Sequence, residues 1–170
     1  MAHRIRQRAS VITAIVITGF TSGLAAQRRV PGQAQPKQGI NVSLKVGGQA
    51  YESREPGRCT HAPTASIYSI VSEMSSVQQS ADGRSLALTL WKPKDGSGDM
   101  VTLSVSSGNA SHQMTTVRGG GATSGSGKVT LERSAAGGTF TIDSRTRDGA
   151  AISGTIKCDA FAPHIAEGGF

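Results

Sequence analysis

The residues best suited to chemistry in this sequence are a histidine and a methionine two positions apart. His112 and Met114 share one face of a predicted β-strand, because alternate strand residues point the same way. Imidazole suits Cu(II) and thioether sulfur suits Cu(I), so the pair suggests a copper site in an exported protein. His61, Met74 or Met100 would have to complete it, yet no spacing fixes a third ligand. We therefore prefer an ordinary edge strand, with no bound metal and no cofactor.

Nothing else in the sequence indicates catalysis. The glycine-rich segment 119–127, followed by Lys128, resembles a phosphate-binding loop, but Val129 stands where such loops carry Ser or Thr. Strands rather than a helix are expected around it, so no helix N-terminus is there to hold an anion. No serine lies in a Gly-x-Ser-x-Gly elbow, and no acid–base pair can be placed. We expect a protein that is not an enzyme.

Three residues are candidates for ligand contact. Arg118 and Lys128 flank the glycine-rich loop, and loops on a rigid β-scaffold often carry recognition. Trp91 is the single tryptophan, and its strand position is opposite in parity to a run of alternating leucines. It is therefore either a core residue on a second face or an exposed contact point.

The two cysteines, Cys59 and Cys158, are expected to form a disulfide. The bond would close a loop of about a hundred residues, worth about 4 kcal/mol in the chain-entropy model. Cys158 has the parity of Ile152 and Ile156, which predicts that its sulfur points into the core. Two buried free thiols or an intermolecular bond are the alternatives.

The elements around these residues are predicted to be β-strands. Phe140 and Ile142 alternate with polar residues, and Asp-Gly at 148–149 predicts a hairpin turn before the next alternating run. Similar runs recur about every ten residues, which favours an all-β antiparallel sandwich or flattened barrel. We expect about eight to ten strands in mostly meander order, closed by the disulfide. Residues 66–78 are ambiguous, and we predict a strand over 66–70, a helical turn, and a strand over 75–80.

The ends of the chain differ from this β-domain. Residues 1–26 combine three arginines, an apolar run over 11–20 and a small-residue end, the layout of a secretory signal peptide. Residues 27–39 are rich in Gln and Pro and predict a flexible linker. The β-domain is then expected over 40–161, with a C-terminal tail over 162–170. The apolar run is too short for a permanent membrane anchor.

Charge adds little to the functional argument. The net charge of +7 falls to +4 without the three leader arginines, an ordinary value that gives no reason to expect nucleic-acid binding. We expect an exported, periplasmic or extracellular β-domain that binds a protein, glycan or small apolar ligand through loops or a partly open core. The alternatives are a periplasmic copper-binding protein using His112 and Met114, and a surface-polymer subunit whose strand 40–46 completes a neighbour's sheet.

The leader generates the first prediction. We expect the exported protein to begin near Ala26 or Gln27, because small residues before the cut are typical of signal-peptide cleavage sites. The intact mass of protein recovered outside the cytoplasm measures this. A product that retains residues 4–20 would contradict it.

Overall fold

A computed structural model describes residues 37–63, 71–119 and 122–163. Every regular element in these ranges is a β-strand, as the alternating pattern predicts. The strands are β1 (Ile40–Val46), β2 (Gln49–Ser53), β3 (Gly57–Ala62), β4 (Val71–Ala81), β5 (Arg84–Pro93), β6 (Met100–Ser107), β7 (Ala110–Gly119), β8 (Ala122–Ser124), β9 (Ser126–Arg133), β10 (Gly138–Arg145), β11 (Ala151–Cys158) and β12 (Ala162–Pro163).

The strands form two sheets packed face to face. The five-stranded sheet has the order β2-β1-β11-β10-β9, and the seven-stranded sheet has the order β12-β3-β4-β5-β6-β7-β8. Neighbouring strands are antiparallel except for β12, which pairs with β3 in parallel. Strands β3 to β8 are one continuous meander, and β9 to β11 are another. The prediction of a sandwich in mostly meander order is confirmed, and the two sheets do not close into a barrel.

The described residues contain twelve strands, more than the eight to ten predicted. Two of them are very short: β8 lies in the predicted glycine-rich loop, and β12 begins the predicted tail. Residues 66–70 lie outside the described residues, so the strand predicted there has no outcome. The helical turn predicted after them is wrong from Val71 onward, because β4 runs unbroken from that residue. A register shift between Val71 and Glu73 interrupts the two-residue alternation at the start of β4.

One apolar layer fills the space between the sheets. The seven residues of β1 alternate strictly between buried and exposed, and β10 and β11 follow the same period. Strands β5 and β6 face them with alternating leucines and valines. The largest fully buried side chains come from both sheets and form one cluster: Phe140, Ile40, Leu86, Leu88, Leu90, Leu103, Met114, Ile142, Ile152, Ile156, Val77 and Val101.

Gly154 lies where the backbones of β11 and β1 approach each other closely. Gly154 of β11 has φ +132°, and a Cβ placed on it would lie 2.2 Å from the carbonyl oxygen of Ser43 on β1. A side chain there would force the two strands apart and would strain the backbone. Gly154 therefore permits the pairing that joins the first strand of the domain to β11.

A disulfide links the two sheets across the apolar layer. Cys59 on β3 and Cys158 on β11 are bonded, with their Cα atoms 6.2 Å apart, and both are almost fully buried. This confirms the predicted pairing and the inward direction of Cys158. Structural disulfides are typical of oxidising compartments outside the cytosol. Within the described ranges, we find no helix with the length and apolar character that crossing a bilayer requires.

The disulfide generates the second prediction. Replacing Cys158 by Ser should lower the free energy of unfolding by about 2–5 kcal/mol, because the unfolded chain is no longer constrained and the buried packing loses its sulfur bridge. Denaturant unfolding of the purified protein measures the loss. Cys59→Ser and the double variant should lose about the same amount, since each removes the same bond. Two thiols that are readily alkylated in exported wild-type protein would contradict the prediction.

Candidate functional site

The outer face of the five-stranded sheet is an ordinary solvated surface. Positions that alternate with buried residues on its strands carry charges of both signs, and Lys128 stands opposite Asp143 in the β9–β10 register. Mixed charges of this kind keep a sheet face soluble and discourage association. The outward charged residues, all exposed, are Lys45, Glu52, Lys128, Glu132, Asp143, Arg145 and Lys157.

The outer face of the seven-stranded sheet is different, because it is nearly without charge. Among the outward positions that cross-strand register identifies on β3 to β7, Arg58 is the one charged side chain. The other positions carry hydroxyl, amide or apolar groups: Thr60, Ala62, Met74, Ser76, Gln78, Ser80, Ser85, Ala87, Thr89, Trp91, Met100, Thr102, Ser104, Ser106, Ser111, Gln113 and Thr115. A face this poor in charge and this rich in hydroxyls stands out on a protein of mixed charge, and we call it the polar face.

A row of hydroxyl groups crosses the polar face. Register places one Ser or Thr on each of six neighbouring strands along a single line: Thr60, Ser76, Thr89, Thr102, Thr115 and Ser124. The hydroxyl oxygens of Thr60 and Ser76 are 2.7 Å apart, and those of Thr102 and Thr115 are 3.0 Å apart. Neighbouring strands lie about 4.8 Å apart, so the row presents hydroxyls at a regular repeat. Thr60, at the β3 end of the row, is buried. The other five members of the row are partly or fully exposed.

An apolar row lies beside the hydroxyl row. Ala62, Met74, Trp91 and Met100 follow one another directly across β3, β4, β5 and β6. All four side chains are partly exposed. Side chains directly opposite on neighbouring strands have Cβ atoms about 5 Å apart, which places a methionine on the strand at each side of Trp91. Trp91 is therefore an outward, half-buried residue rather than a member of the core between the sheets.

A groove occupies the other end of the polar face. Its volume is about 500 Å³, and the residues that line it include Lys37, Arg58, Gln78, Ser80, Ser85 and Ala87. Ala87 and Trp91 are four residues apart on β5, or about 13 Å at the rise of a strand. The groove and the apolar row are thus two parts of one elongated surface.

The three residues predicted to contact a ligand do not form one cluster. Trp91 belongs to the polar face, and Arg118 is exposed near the end of β7, two strands away in the same sheet. Lys128 lies on β9 in the opposite sheet, where it faces outward beside Asp143. The glycine-rich segment between Arg118 and Lys128 crosses from one sheet to the other, and this separates its two flanks.

The structure does not bring the copper candidates together. His112 and Met114 share a face, as their spacing predicts, but that face is the inner one and Met114 is in the core. Met74 and Met100 point away from the core on the other side of the same sheet. The described residues contain no group of three His, Cys, Asp or Glu side chains that is placed to hold a metal.

A buried histidine–serine pair was not predicted from the sequence. His61 Nδ1 lies 2.9 Å from the hydroxyl oxygen of Ser75, and both residues are almost fully buried. The centroid of the Phe161 ring lies 5.5 Å from that of the imidazole. The second ring nitrogen of His61, Nε2, is buried and has no hydrogen-bond partner among the described residues. Ser75 is too deeply buried to act as a nucleophile on a substrate. The sequence gives little indication of this pair, because the two residues are fourteen positions apart and are brought together only by the β3–β4 register.

Burial is the main cause that lowers the pKa of His61 below its usual value. The positive charge of Arg133 lowers it further, the carboxylate of Glu73 raises it, and Lys92 lowers it. The imidazole is thus held neutral at pH 7, with one ring nitrogen bonded to Ser75. The lowered pKa of His61 also links the stability of the fold to pH, because burial disfavours the charged imidazole.

No family model matches this chain, and no curated protein or solved structure is significantly similar to it.

His61 generates the third prediction. Its folded-state pKa is lower than its unfolded one, so the unfolded chain binds more protons once the pH falls below about 6.5, the usual histidine value. Stability should therefore be full above that pH and should fall as the solution becomes more acidic. One proton contributes a slope of at most about 1.4 kcal/mol per pH unit.

Denaturant unfolding between pH 5 and pH 8 measures this dependence. His61→Gln should flatten it, even where the variant is less stable at every pH. Thr141→Val, which alters an exposed residue and removes no titratable group, should keep the wild-type dependence. An unchanged slope in His61→Gln would contradict the assignment.

Proposed function

We propose that this chain is an exported, non-catalytic glycan-binding domain and that the polar face is its binding surface. The observation that supports this proposal is the adjacency of the hydroxyl row to the partly exposed Trp91 on a face that is nearly without charge. Export is part of the proposal, supported by the buried disulfide and by the predicted leader.

The chemistry of the polar face is complementary to a sugar. Sugar hydroxyls both donate and accept hydrogen bonds, and Ser, Thr and Gln side chains do the same. The hydroxyls are arranged in register across a sheet, so little side-chain freedom has to be lost when a ligand binds. The indole of Trp91 offers an apolar surface on which the C–H face of a sugar ring can pack.

Other ligand classes are supported less well. Protein interfaces are depleted in serine, whereas the polar face carries six outward serines: Ser76, Ser80, Ser85, Ser104, Ser106 and Ser111. A carrier of small apolar ligands needs an open interior, and here the inner faces share one contiguous apolar cluster. A polymer subunit would offer a free strand, but β1 is paired with β11 on one side and β2 on the other.

The polar face generates the fourth prediction. Trp91→Ala should weaken binding to a polysaccharide at least tenfold, about 1.4 kcal/mol, because the ring loses its contact with the sugar. Thr89→Val, in the adjacent row, should also weaken binding, because it removes a hydroxyl and keeps the shape. Affinity electrophoresis against a panel of neutral and acidic polysaccharides measures both effects.

Thr141→Val is the matched control. Thr141 is an exposed threonine on the outer face of the five-stranded sheet, so the same chemical change there should leave binding unaltered. Thermal unfolding establishes that each variant is folded. The proposal is wrong if no polysaccharide in the panel retards the wild-type protein, or if Trp91→Ala binds as wild type does.

A further inference from the structure

The groove on the polar face has a basic side that the rest of that face lacks. Lys37, just before β1, and Arg58, on β3, both line it and both are exposed. Of its other outward lining residues, Gln78, Ser80 and Ser85 carry uncharged hydrogen-bonding groups, and Ala87 is apolar. None of the residues that line the groove is acidic.

Neither of these two cations forms an ion pair with a carboxylate of the described residues. Lys92 pairs with Glu73 elsewhere in the same sheet, and within the described ranges no carboxylate lies within 4.0 Å of Lys37 or Arg58. On the opposite sheet, Lys128 has the acidic Asp143 directly across from it in the strand register, whereas no residue that lines the groove is acidic. Two unpaired positive charges beside a groove lower the energy of an anion that enters it, and their side chains are free to contact it.

The chemistry of Arg58 narrows the choice of anion. A guanidinium presents a planar fork of donors that matches a carboxylate or a sulfate, and bonds of this charge-assisted kind are about twice as strong as neutral ones. The hydroxyls and amide beside it suit the uncharged hydroxyls of the same ligand. A groove with this composition is complementary to a molecule that carries both acid groups and many hydroxyls.

We propose that the glycan bound by this protein is an acidic polysaccharide, whose acid groups lie against Lys37 and Arg58 while neighbouring sugars extend along β5 toward Trp91. This inference rests on the proposed function and specifies its ligand. The groove and Trp91 are about 13 Å apart along the strand, so the ligand is an oligomer rather than a single sugar.

Binding of the purified exported protein to polygalacturonate and to the same polymer with its carboxyl groups reduced tests the proposal. The two polymers share linkage and hydroxyl pattern and differ in charge. We expect the acidic polymer to bind at least tenfold more tightly at moderate ionic strength, and the difference to shrink as salt is added. A sulfated galactan shows whether the groove also accepts sulfate: tighter binding than to the reduced polymer assigns the site to acid groups in general, and equal binding assigns it to carboxylates.

Arg58→Gln and Lys37→Gln should each weaken binding to polygalacturonate severalfold and leave binding to the reduced polymer unchanged. Lys128→Gln is the matched control, because it changes the net charge by the same amount on the opposite sheet, and it should bind as wild type does. An equal loss in Lys128→Gln would overturn the proposal, since the attraction would then be a property of net charge.

Failure of this inference can be told apart from failure of the proposed function. If both polymers bind equally and Trp91→Ala weakens both, the polar face binds glycans but the acidic specificity is wrong. If neither polymer binds, the acidic specificity is wrong, and the neutral members of the polysaccharide panel then decide the proposed function separately.

Discussion

Burial of a single apolar layer between two sheets is the constraint on which the rest of this structure depends. Every second residue of the central strands points into that layer, and the Cys59–Cys158 bond joins the sheets through it. Because the inner positions are fixed by packing, the alternate positions must point to solvent. Packing does not constrain the side chains on the outer faces, so these can vary with the needs of solubility and function. The two sheets differ on these outer faces.

The difference between the outer faces carries the functional argument. The five-stranded sheet has the scattered charges of both signs that a solvated surface needs. The polar face has the hydroxyl row, the apolar row and the basic groove in their place. A sheet face with so few charges is prone to unwanted association, so a function is needed to account for its composition. The proposed binding of an acidic glycan would account for all three features, because each supplies one kind of contact that such a ligand can make.

The core also contains a polar pair that serves no visible chemistry. His61 Nδ1 and the hydroxyl of Ser75 share a hydrogen bond, while His61 Nε2 is buried without a hydrogen-bond partner. A buried imidazole is tolerated when it is neutral, and the nearby positive charges of Arg133 and Lys92 favour that form. The pair ties β3 to β4 two residues from Cys59, so acid conditions act at the place where the sheets are cross-linked.

The sequence by itself determined the fold class, the inward direction of Cys158 and the disulfide, because strand alternation is a local property and two cysteines leave one intramolecular pairing. It also predicted that His112 and Met114 share a face. It did not predict β8 and β12, which are too short to show a period, or the course of β4, where a register shift breaks the alternation. The rows of the polar face depend on register, which brings Met74, Trp91 and Met100 together from three strands. Only the tertiary structure decided that neighbourhood, because register depends jointly on the geometry of the hairpin turns and on which face is buried, and the alternation within a single strand does not reveal it.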